Sequence, residues 1–189
     1  AVASSTVAFF CINRESTSPV TGRPSVMVDV MGGGTGATAH GDGVDGVDTY
    51  MSNVGLMPVE VAETNYHVRV LRTELIPESR GIGEHSGGMG LRRDYEILDD
   101  RARATFYSEQ TAAGFAPQGR AGGGDGTPTR IILIDADGTE QPAPTKASMV
   151  LRKGMILRVE TSGGGGYGAP SSHDDEHTHS DEVKGKGES

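Results

Sequence analysis

The stretch "ETSGGGGYGAP" (Glu160 to Pro170) places four consecutive glycines, a tyrosine and a fifth glycine directly after an apolar run with the character of a strand. A phosphate-binding loop needs Lys followed by Ser or Thr after its glycines, and then a helix whose N-terminus faces the anion. Here Tyr167 and Pro170 follow instead. We therefore interpret the stretch as a structural loop whose backbone packs closely against a neighbouring segment, and not as a nucleotide site.

Glycine is unusually frequent along the whole chain, with 29 glycines in 189 residues, while hydrophobic residues make up 34% and tryptophan is absent. Glycine adopts positive φ at little steric cost, so this composition suits many short strands joined by tight turns. We predict a mainly β fold of antiparallel strands and hairpins, with one or two short helices. Two runs are interpreted as structural glycine loops: Gly32, Gly33 and Gly34, and Gly163, Gly164, Gly165, Gly166 and Gly168.

Local patterns place the individual elements. Strands are predicted at 25–31 and 66–76, and an antiparallel pair at 91–98 and 102–109 joined by a turn at Asp99 and Asp100. Asp137-Gly138 predicts a hairpin tip, and two more short strands flank Lys153-Gly154. The best helix candidate is 47–63, in which Pro58 is able to open a helical turn.

Domain organisation follows from a change of composition after Pro170. Residues 171–189 contain a single aliphatic residue, Val183, among many acids and histidines, and cannot bury a surface. We predict one β-rich domain over residues 1–170 and a disordered acidic tail over 171–189. The chain begins without Met at an apolar run, which we read as the cut end of something longer or as a processed subunit.

Charge and cysteine usage exclude several classes of protein. A net charge of −9 argues against a nucleic-acid binder, which needs a basic surface. Cys11 is the only cysteine, so one chain can form neither a disulfide framework nor a cysteine-based zinc site. No stretch approaches the roughly 20 apolar residues that span a bilayer, and the first residues lack the basic region of a signal peptide. We expect a cytoplasmic protein with neither nucleic acid nor membrane as its partner.

Three aspartates, Asp42, Asp45 and Asp48, recur at every third position and suggest calcium at first sight. An EF-hand loop instead needs acids at alternate positions and a closing Glu at position twelve, where this chain has Asn53. We interpret the aspartates as parts of Asp-Gly turns that satisfy their own backbone.

The histidines give no metal-ligand spacing. His40, His67 and His85 lie far apart, without an i,i+4 pair. His173, His177 and His179 are closely spaced, but in a flexible tail they predict only adventitious metal binding. No Ser/His/Asp arrangement stands out either. From the residues alone we therefore assign no catalytic residue and no metal site.

Three segments in order resemble the C-terminal part of hydantoinase B, the B-type subunit of hydantoinases and oxoprolinases, which is related to subunits of caprolactamase and of acetone and acetophenone carboxylases. They are "GGGTGATAHGDGVDGVDTYMSNVGLMPVEVAE", "VRVLRTELIPESRGIGEHSGGMGLRRDYEIL" and "KGMILRVETSGGGGYG". The resemblance covers about residues 25–168. It implies that the chain is the C-terminal portion of a larger α+β subunit, either as a fragment or as the smaller partner of a split subunit.

The resemblance also implies a division of labour. An A-type ATPase subunit uses ATP and Mg²⁺ to phosphorylate an amide, lactam or enolate oxygen, and the B-type subunit completes hydrolysis or carboxylation at a divalent metal. The metal ligands are expected in the N-terminal part of the B-type subunit. The expected partners are therefore that N-terminal part and the A-type ATPase, and this chain alone is expected to bind no cofactor and to be inactive.

Within the matched region, several motif positions are candidates for a substrate pocket or a subunit contact: Asp42, Asp45, Asn53, Glu60 and Glu63. The alternative is that these residues hold the loop and cap the helix. Three functions stay open at this point: a component of an ATP-dependent cyclic amidohydrolase, a component of a ketone carboxylase, and a non-catalytic structural subunit.

Overall fold

The computed structural model describes residues 8–18, 20–48 and 54–170. The predicted tail at 171–189 and the candidate Asn53 lie outside the described residues. In the described part the strands are β1 (Ala8–Thr17), β2 (Pro24–Met31), β3 (Val68–Ile76), β4 (Gly90–Ile97), β5 (Ala102–Tyr107), β6 (Arg130–Ile134), β7 (Glu140–Pro142), β8 (Lys146–Leu151) and β9 (Ile156–Glu160), with one α-helix, α1 (Val59–Asn65), and two short 3₁₀ turns at Pro77–Ser79 and Ala113–Phe115.

The strands form two antiparallel sheets. The first has the order β2-β1-β5-β8 and the second has the order β3-β4-β9-β6-β7. Buried side chains from both sheets belong to one hydrophobic cluster, with Met27 and Phe106 from the first sheet and Tyr95 and Leu157 from the second. The predicted mainly β fold of antiparallel strands with a short helix is confirmed.

The predicted pairing of 91–98 with 102–109 is wrong, although both strands exist. β4 pairs with β3 and β9, whereas β5 pairs with β1 and β8 in the other sheet. The reason lies in the alternation of the two strands. Leu91 and Tyr95 of β4 and Ala104 and Phe106 of β5 all enter the same core, so the chain between them crosses from one sheet to the other.

The hairpin at Asp137-Gly138 is confirmed. β6 and β7 pair in register, with Ile134 opposite Glu140, and Gly138 has φ +86°. Asp137 accepts a hydrogen bond at Oδ1 from the backbone N–H of Thr139 at 2.9 Å, and this bond lowers the pKa of the Asp137 carboxyl. The strands predicted at 25–31 and 66–76 are confirmed as β2 and β3.

The prediction of a helix at 47–63 is wrong for residues 47, 48 and 54–58, because α1 begins only after Pro58. The backbone N–H groups of Val54 and Met57 bond to the carboxylates of Asp48 and Asp29, at 2.9 and 3.3 Å. Those donors are therefore not available to an α-helical ladder.

Four glycine-rich segments without helix or strand, residues 32–37, 80–88, 119–126 and 162–168, lie side by side, and we call them the glycine bundle. The segment 162–168 is hydrogen-bonded to the other three: Gly34 N–H donates to Ser162 O, Gly81 N–H to Gly164 O and Gly166 N–H to Gly124 O, at 2.8–2.9 Å. Residues 161–166 are buried. Residues 162–168 thus form the central segment of this bundle.

The backbone segments of the glycine bundle lie so close together that no side chain fits between them. A Cβ added to Gly164 would lie 1.8 Å from the carbonyl oxygen of Thr35, and one added to Gly34 would lie 1.8 Å from that of Gly88. Ordinary contact begins at about 3.4 Å, so these positions accept only glycine unless the backbone moves.

Candidate functional site

Asp42 and Asp45 lie on the loop that follows β2, and both contact a distant part of the chain. Asp42 accepts a hydrogen bond at Oδ1 from Ser86 N–H at 2.8 Å, and Asp45 accepts one from Met89 N–H at 2.7 Å. Our interpretation that these aspartates satisfy their own turns is therefore wrong, because their partners are 44 residues away. They join two segments of the glycine bundle region, and their side chains remain exposed at its surface.

Asp42 has one further contact. His85 places Nδ1 3.6 Å from Oδ1 of Asp42, and the two side chains are 30% and 70% exposed. The part of the chain that the structure describes contains no group of three or more His, Cys, Asp or Glu side chains able to hold a metal ion.

The two candidate glutamates belong to α1 and have different surroundings. Glu63 accepts a hydrogen bond at Oε1 from the backbone N–H of Val70 at 2.9 Å and so ties the helix to β3. Glu60 lies exposed in the first turn, where a negative charge suits the helix dipole, but no side chain caps the helix by a hydrogen bond. The contacts of Glu63 do not connect it with Asp42 or Asp45.

A buried ion pair joins the two sheets close to the start of α1. Asp29 of β2 receives Nη1 of Arg93 at 2.9 Å and the hydroxyl of Tyr95 at 2.5 Å, and all three side chains are almost fully buried. Arg93 also donates from Nη2 to the carbonyl oxygen of Met57 at 2.8 Å. Burial and the charge of Asp29 raise the pKa of Tyr95. The group fixes the segment before α1 to the core.

The outer face of the second sheet carries a row of alternating charges that sequence reasoning missed. Register places Glu74, Arg92, Glu160 and Arg130 opposite one another on β3, β4, β9 and β6. Glu74 contacts Arg92 at 2.8 Å, Arg92 contacts Glu160 at 2.7 Å and Glu160 contacts Arg130 at 2.6 Å, while Arg72 adds a contact to Glu74 at 3.2 Å. We call these five residues the charge row.

The carboxylate of Glu160 is the buried member of the charge row, at 4% side-chain exposure. Burial lowers the pKa of Arg92, but its hydrogen bond to Glu160 and the nearby carboxylates more than offset this, so the net shift is upward. Arg130, at the other end, is 63% exposed. The row therefore contains one buried anion between two arginines, and the outer arginine is open to solvent.

A second, shorter group of charged side chains lies beside the charge row. Arg158 holds Asp94 at 3.1 Å and Glu140 at 3.0 Å, and the hydrogen bond to Asp94 raises the pKa of Arg158. Only the register of four paired strands brings these charges together, so no local pattern in the sequence would have found them.

Two cavities border the charged face. One of about 190 Å³ is lined by Glu78, Ser79, Thr127, Arg130 and Glu160 among others. The larger, about 380 Å³, is lined by residues of the β6–β7 hairpin and by residues next to the ends of β5 and β8. Arg130 lines both, and none of the four described candidates, Asp42, Asp45, Glu60 and Glu63, lines either.

Comparison with known proteins assigns the chain to a family. The profile described as Hydantoinase B/oxoprolinase matches residues 1–170. A protein of Pseudomonas sp. strain NS671, provisionally named as the B component of a D-/L-hydantoinase, is 32% identical over 162 residues, covering 85% of this chain and 27% of the relative. The 5-oxoprolinase 1 of Arabidopsis thaliana is 33% identical over 141 residues, covering 75% of this chain and 11% of the relative. The chain thus spans about a quarter or less of the length of these relatives.

Solved structures share the fold. An acetone carboxylase in its nucleotide-free state matches with a TM-score of 0.67 at 15% identity, covering 86% of this chain and 26% of that chain. An ATP-dependent caprolactamase from Pseudomonas jessenii matches with a TM-score of 0.66 at 23% identity, covering 89% and 30%. Among the described residues no helix is long and apolar enough to cross a membrane. On the profile match and the curated relatives, the chain belongs to the hydantoinase B/oxoprolinase family.

Proposed function

We propose that this chain works as one component of an ATP-dependent enzyme that opens cyclic amides, of the hydantoinase and 5-oxoprolinase type. The observation that carries the proposal is the family profile over residues 1–170, together with curated relatives above 30% identity that are named for hydantoins and 5-oxoproline. Acetone carboxylase shares the fold of this chain, but at 15% identity the likeness concerns the fold alone. A component of a ketone carboxylase is therefore the second candidate function.

The division of labour in the proposal follows from the chemistry of amides. A resonance-stabilised amide is a poor electrophile, and phosphorylating its oxygen gives a centre that water attacks. We assign the phosphorylation to an A-type ATPase and the hydrolysis to a metal site in the rest of the B-type polypeptide, both in the cytoplasm. The described residues do not fit a metal, since they contain no group of three or more suitable side chains. No step of the reaction is assigned to a metal in this chain.

The role that we assign to this chain is to supply a rigid wall of the larger subunit. The glycine bundle brings four segments together without side chains between them, and Asp42 and Asp45 hold the loop after β2 against it. On this proposal Asp42, Asp45, Glu60 and Glu63 border a subunit contact at the exposed rim of the domain, and Asn53 belongs to the same motif.

Two experiments test the proposal. Native purification of the tagged chain from its source cells is expected to recover the remainder of a B-type polypeptide and an ATPase, and recovery of neither would contradict it. The recovered complex is then assayed with ATP and either a cyclic amide or a ketone with bicarbonate. Hydrolysis of the cyclic amide is expected, and carboxylation of the ketone alone would favour the second candidate.

A further inference from the structure

The 380 Å³ cavity beside the β6–β7 hairpin has a volume in the range of small-molecule sites, about 300–1,000 Å³. Four hydroxyl-bearing residues line it, Ser108, Thr111, Thr129 and Thr145. Thr129 is 1% exposed, and its Oγ1 accepts a hydrogen bond from Ser162 N–H at 3.1 Å, so its own proton is available to donate. The two charged residues among its lining are Arg130 and Glu140.

The charge row has a net positive charge, and Arg130 is one of its two ends. The row contains three arginines, Arg72, Arg92 and Arg130, and two glutamates, Glu74 and Glu160. One positive charge is therefore left without a matching carboxylate inside the row. Arg130 is one end member and Arg72 is the other, and the guanidinium of Arg130 has five N–H donors of which Glu160, shared with Arg92, occupies only part. A carboxylate entering the cavity would find this end of the row electropositive.

Glu140 carries the opposite excess. It shares Arg158 with Asp94, so that group has two carboxylates for one arginine. Glu140 is its exposed member, at 52%, while Asp94 is buried. The cavity wall thus combines one cation and one anion, each at an exposed end of its group of charges. A ligand that carries both charges matches both ends.

Hydrolysis of a lactam creates such a ligand. Water adds to the carbonyl carbon, the C–N bond breaks, and the neutral ring becomes a chain with a carboxylate at one end and, after the nitrogen takes up protons, an ammonium at the other. Opening a hydantoin leaves a carboxylate and a neutral ureido group instead. The two charges in the cavity wall correspond to the two charges that lactam opening adds.

We propose that the cavity binds ω-amino acids, the ring-opened products of unsubstituted lactams, with the carboxylate at Arg130 and the ammonium at Glu140. The inference rests on the proposed function for the source of the ligand. Glu140 lies opposite Ile134, four positions along β6 from Arg130, and with the spacing between β6 and β7 this separates their backbones by about 14 Å. An α-amino acid holds its two charges too close together to engage both side chains, whereas a chain of several methylene groups spans them.

Calorimetric titration of the purified 189-residue chain tests the proposal with defined probes. 6-Aminohexanoate is expected to bind to saturation below about 10 mM and about fivefold more tightly than hexanoate or hexylamine, since each probe of the latter pair lacks one charge. Its parent lactam and an N-carbamoyl amino acid are expected to bind more weakly still. Absence of binding, or equal binding of 6-aminohexanoate and the singly charged probes, overturns the proposal.

Charge-removing variants locate the site. Arg130→Gln is expected to weaken the binding of 6-aminohexanoate about fivefold and to leave the affinity for hexylamine unchanged. Glu140→Gln is expected to weaken the binding of 6-aminohexanoate by the same factor and to leave the affinity for hexanoate unchanged. Arg92 still neutralises Glu160 in the first variant, which protects the fold. The matched controls are Arg152→Gln and Asp100→Asn, both exposed and outside the cavity. Unchanged affinity in both cavity variants contradicts the assignment.

The binding test is independent of the enzymatic one. It uses neither ATP nor another polypeptide, so saturable binding with the expected charge pattern stands even if the assembled complex fails to hydrolyse a cyclic amide. If the complex hydrolyses a cyclic amide but 6-aminohexanoate does not bind to this chain, the cavity is not a product site, while the proposed function still holds.

Discussion

Replacing Gly164 by alanine probes the glycine bundle at one of its two most crowded points, the other being Gly34. The new Cβ would lie 1.8 Å from Thr35 O and 2.3 Å from Thr35 C, both backbone atoms. Reaching the 3.4 Å of ordinary contact requires a backbone movement of about 1.6 Å. Such a movement breaks the hydrogen bonds from Gly164 N–H to Gly88 O and from Gly81 N–H to Gly164 O, and disturbs that from Gly88 N–H to Thr35 O.

The magnitude follows from those three bonds. Each buried backbone hydrogen bond contributes about 1 kcal/mol net, and an unpaired buried group costs about 1–3 kcal/mol. We expect Gly164→Ala to lower the free energy of unfolding by about 3–5 kcal/mol, a large part of the 5–15 kcal/mol of a typical domain. Urea unfolding followed by circular dichroism measures the change as a shift in midpoint at unchanged slope.

Gly41→Ala is the matched control, because Gly41 lies in the neighbouring loop and a Cβ there meets nothing within 4 Å. Its unfolding free energy is expected to stay within about 0.5 kcal/mol of the parent chain. If Gly164→Ala is too unstable to purify while Gly41→Ala purifies normally, the prediction holds. A Gly164→Ala chain as stable as the control would show that the close backbone approach is not real.

Three further substitutions test the rest of the fold, each by urea unfolding. Arg93→Met leaves the buried carboxylate of Asp29 uncompensated and is expected to cost about 3–5 kcal/mol, so a loss below 1 kcal/mol would refute the inter-sheet ion pair. The raised pKa of Tyr95 keeps its hydroxyl neutral in the folded chain above the ordinary tyrosine pKa of about 10, so its contribution to the free energy of unfolding is present below that pH and is lost as the pH rises beyond it. Tyr95→Phe is expected to make the free energy of unfolding fall less steeply with pH in the alkaline range. An unchanged slope would count against the role of the Tyr95 hydroxyl. Gly138→Ala forces a side chain into φ +86° at the hairpin tip and is expected to cost about 1 kcal/mol, with no loss speaking against the turn geometry.

Local features of the structure were predictable from the sequence. The hairpin at Asp137-Gly138 and the strands β2 and β3 depend on residues close together in the chain, and turn chemistry or alternation encodes them. Pro58 likewise marks the start of α1 correctly, because proline is tolerated at the beginning of a helix and not inside it.

Long-range features were not predictable in the same way. The strand β1, "AFFCINREST", shows no regular alternation, and its place between β2 and β5 follows only from its neighbours. The strands β4 and β5 look like a hairpin because few residues separate them, but which sheet each joins is decided by β9 and β8 far along the chain. A pattern in one segment carries no information on that choice.

The candidate site illustrates the same limit. Family motifs drew attention to Asp42 and Asp45 but did not reveal that their partners are Ser86 and Met89. No sequence pattern marked Arg130 as a candidate, because its place in the charge row depends on the register of β6 with β9 and of β9 with β4. Motifs identified the family, and only the fold shows which side chains share a surface.

The most direct test of the account is an omission experiment on the reconstituted enzyme. This chain, the remainder of a B-type polypeptide and an A-type ATPase are mixed with a cyclic amide and ATP, and ring opening is followed by chromatography with each component left out in turn. Ring opening is expected only when all three polypeptides and ATP are present. Ring opening by this chain alone with ATP, or an undiminished rate when this chain is omitted, would contradict it.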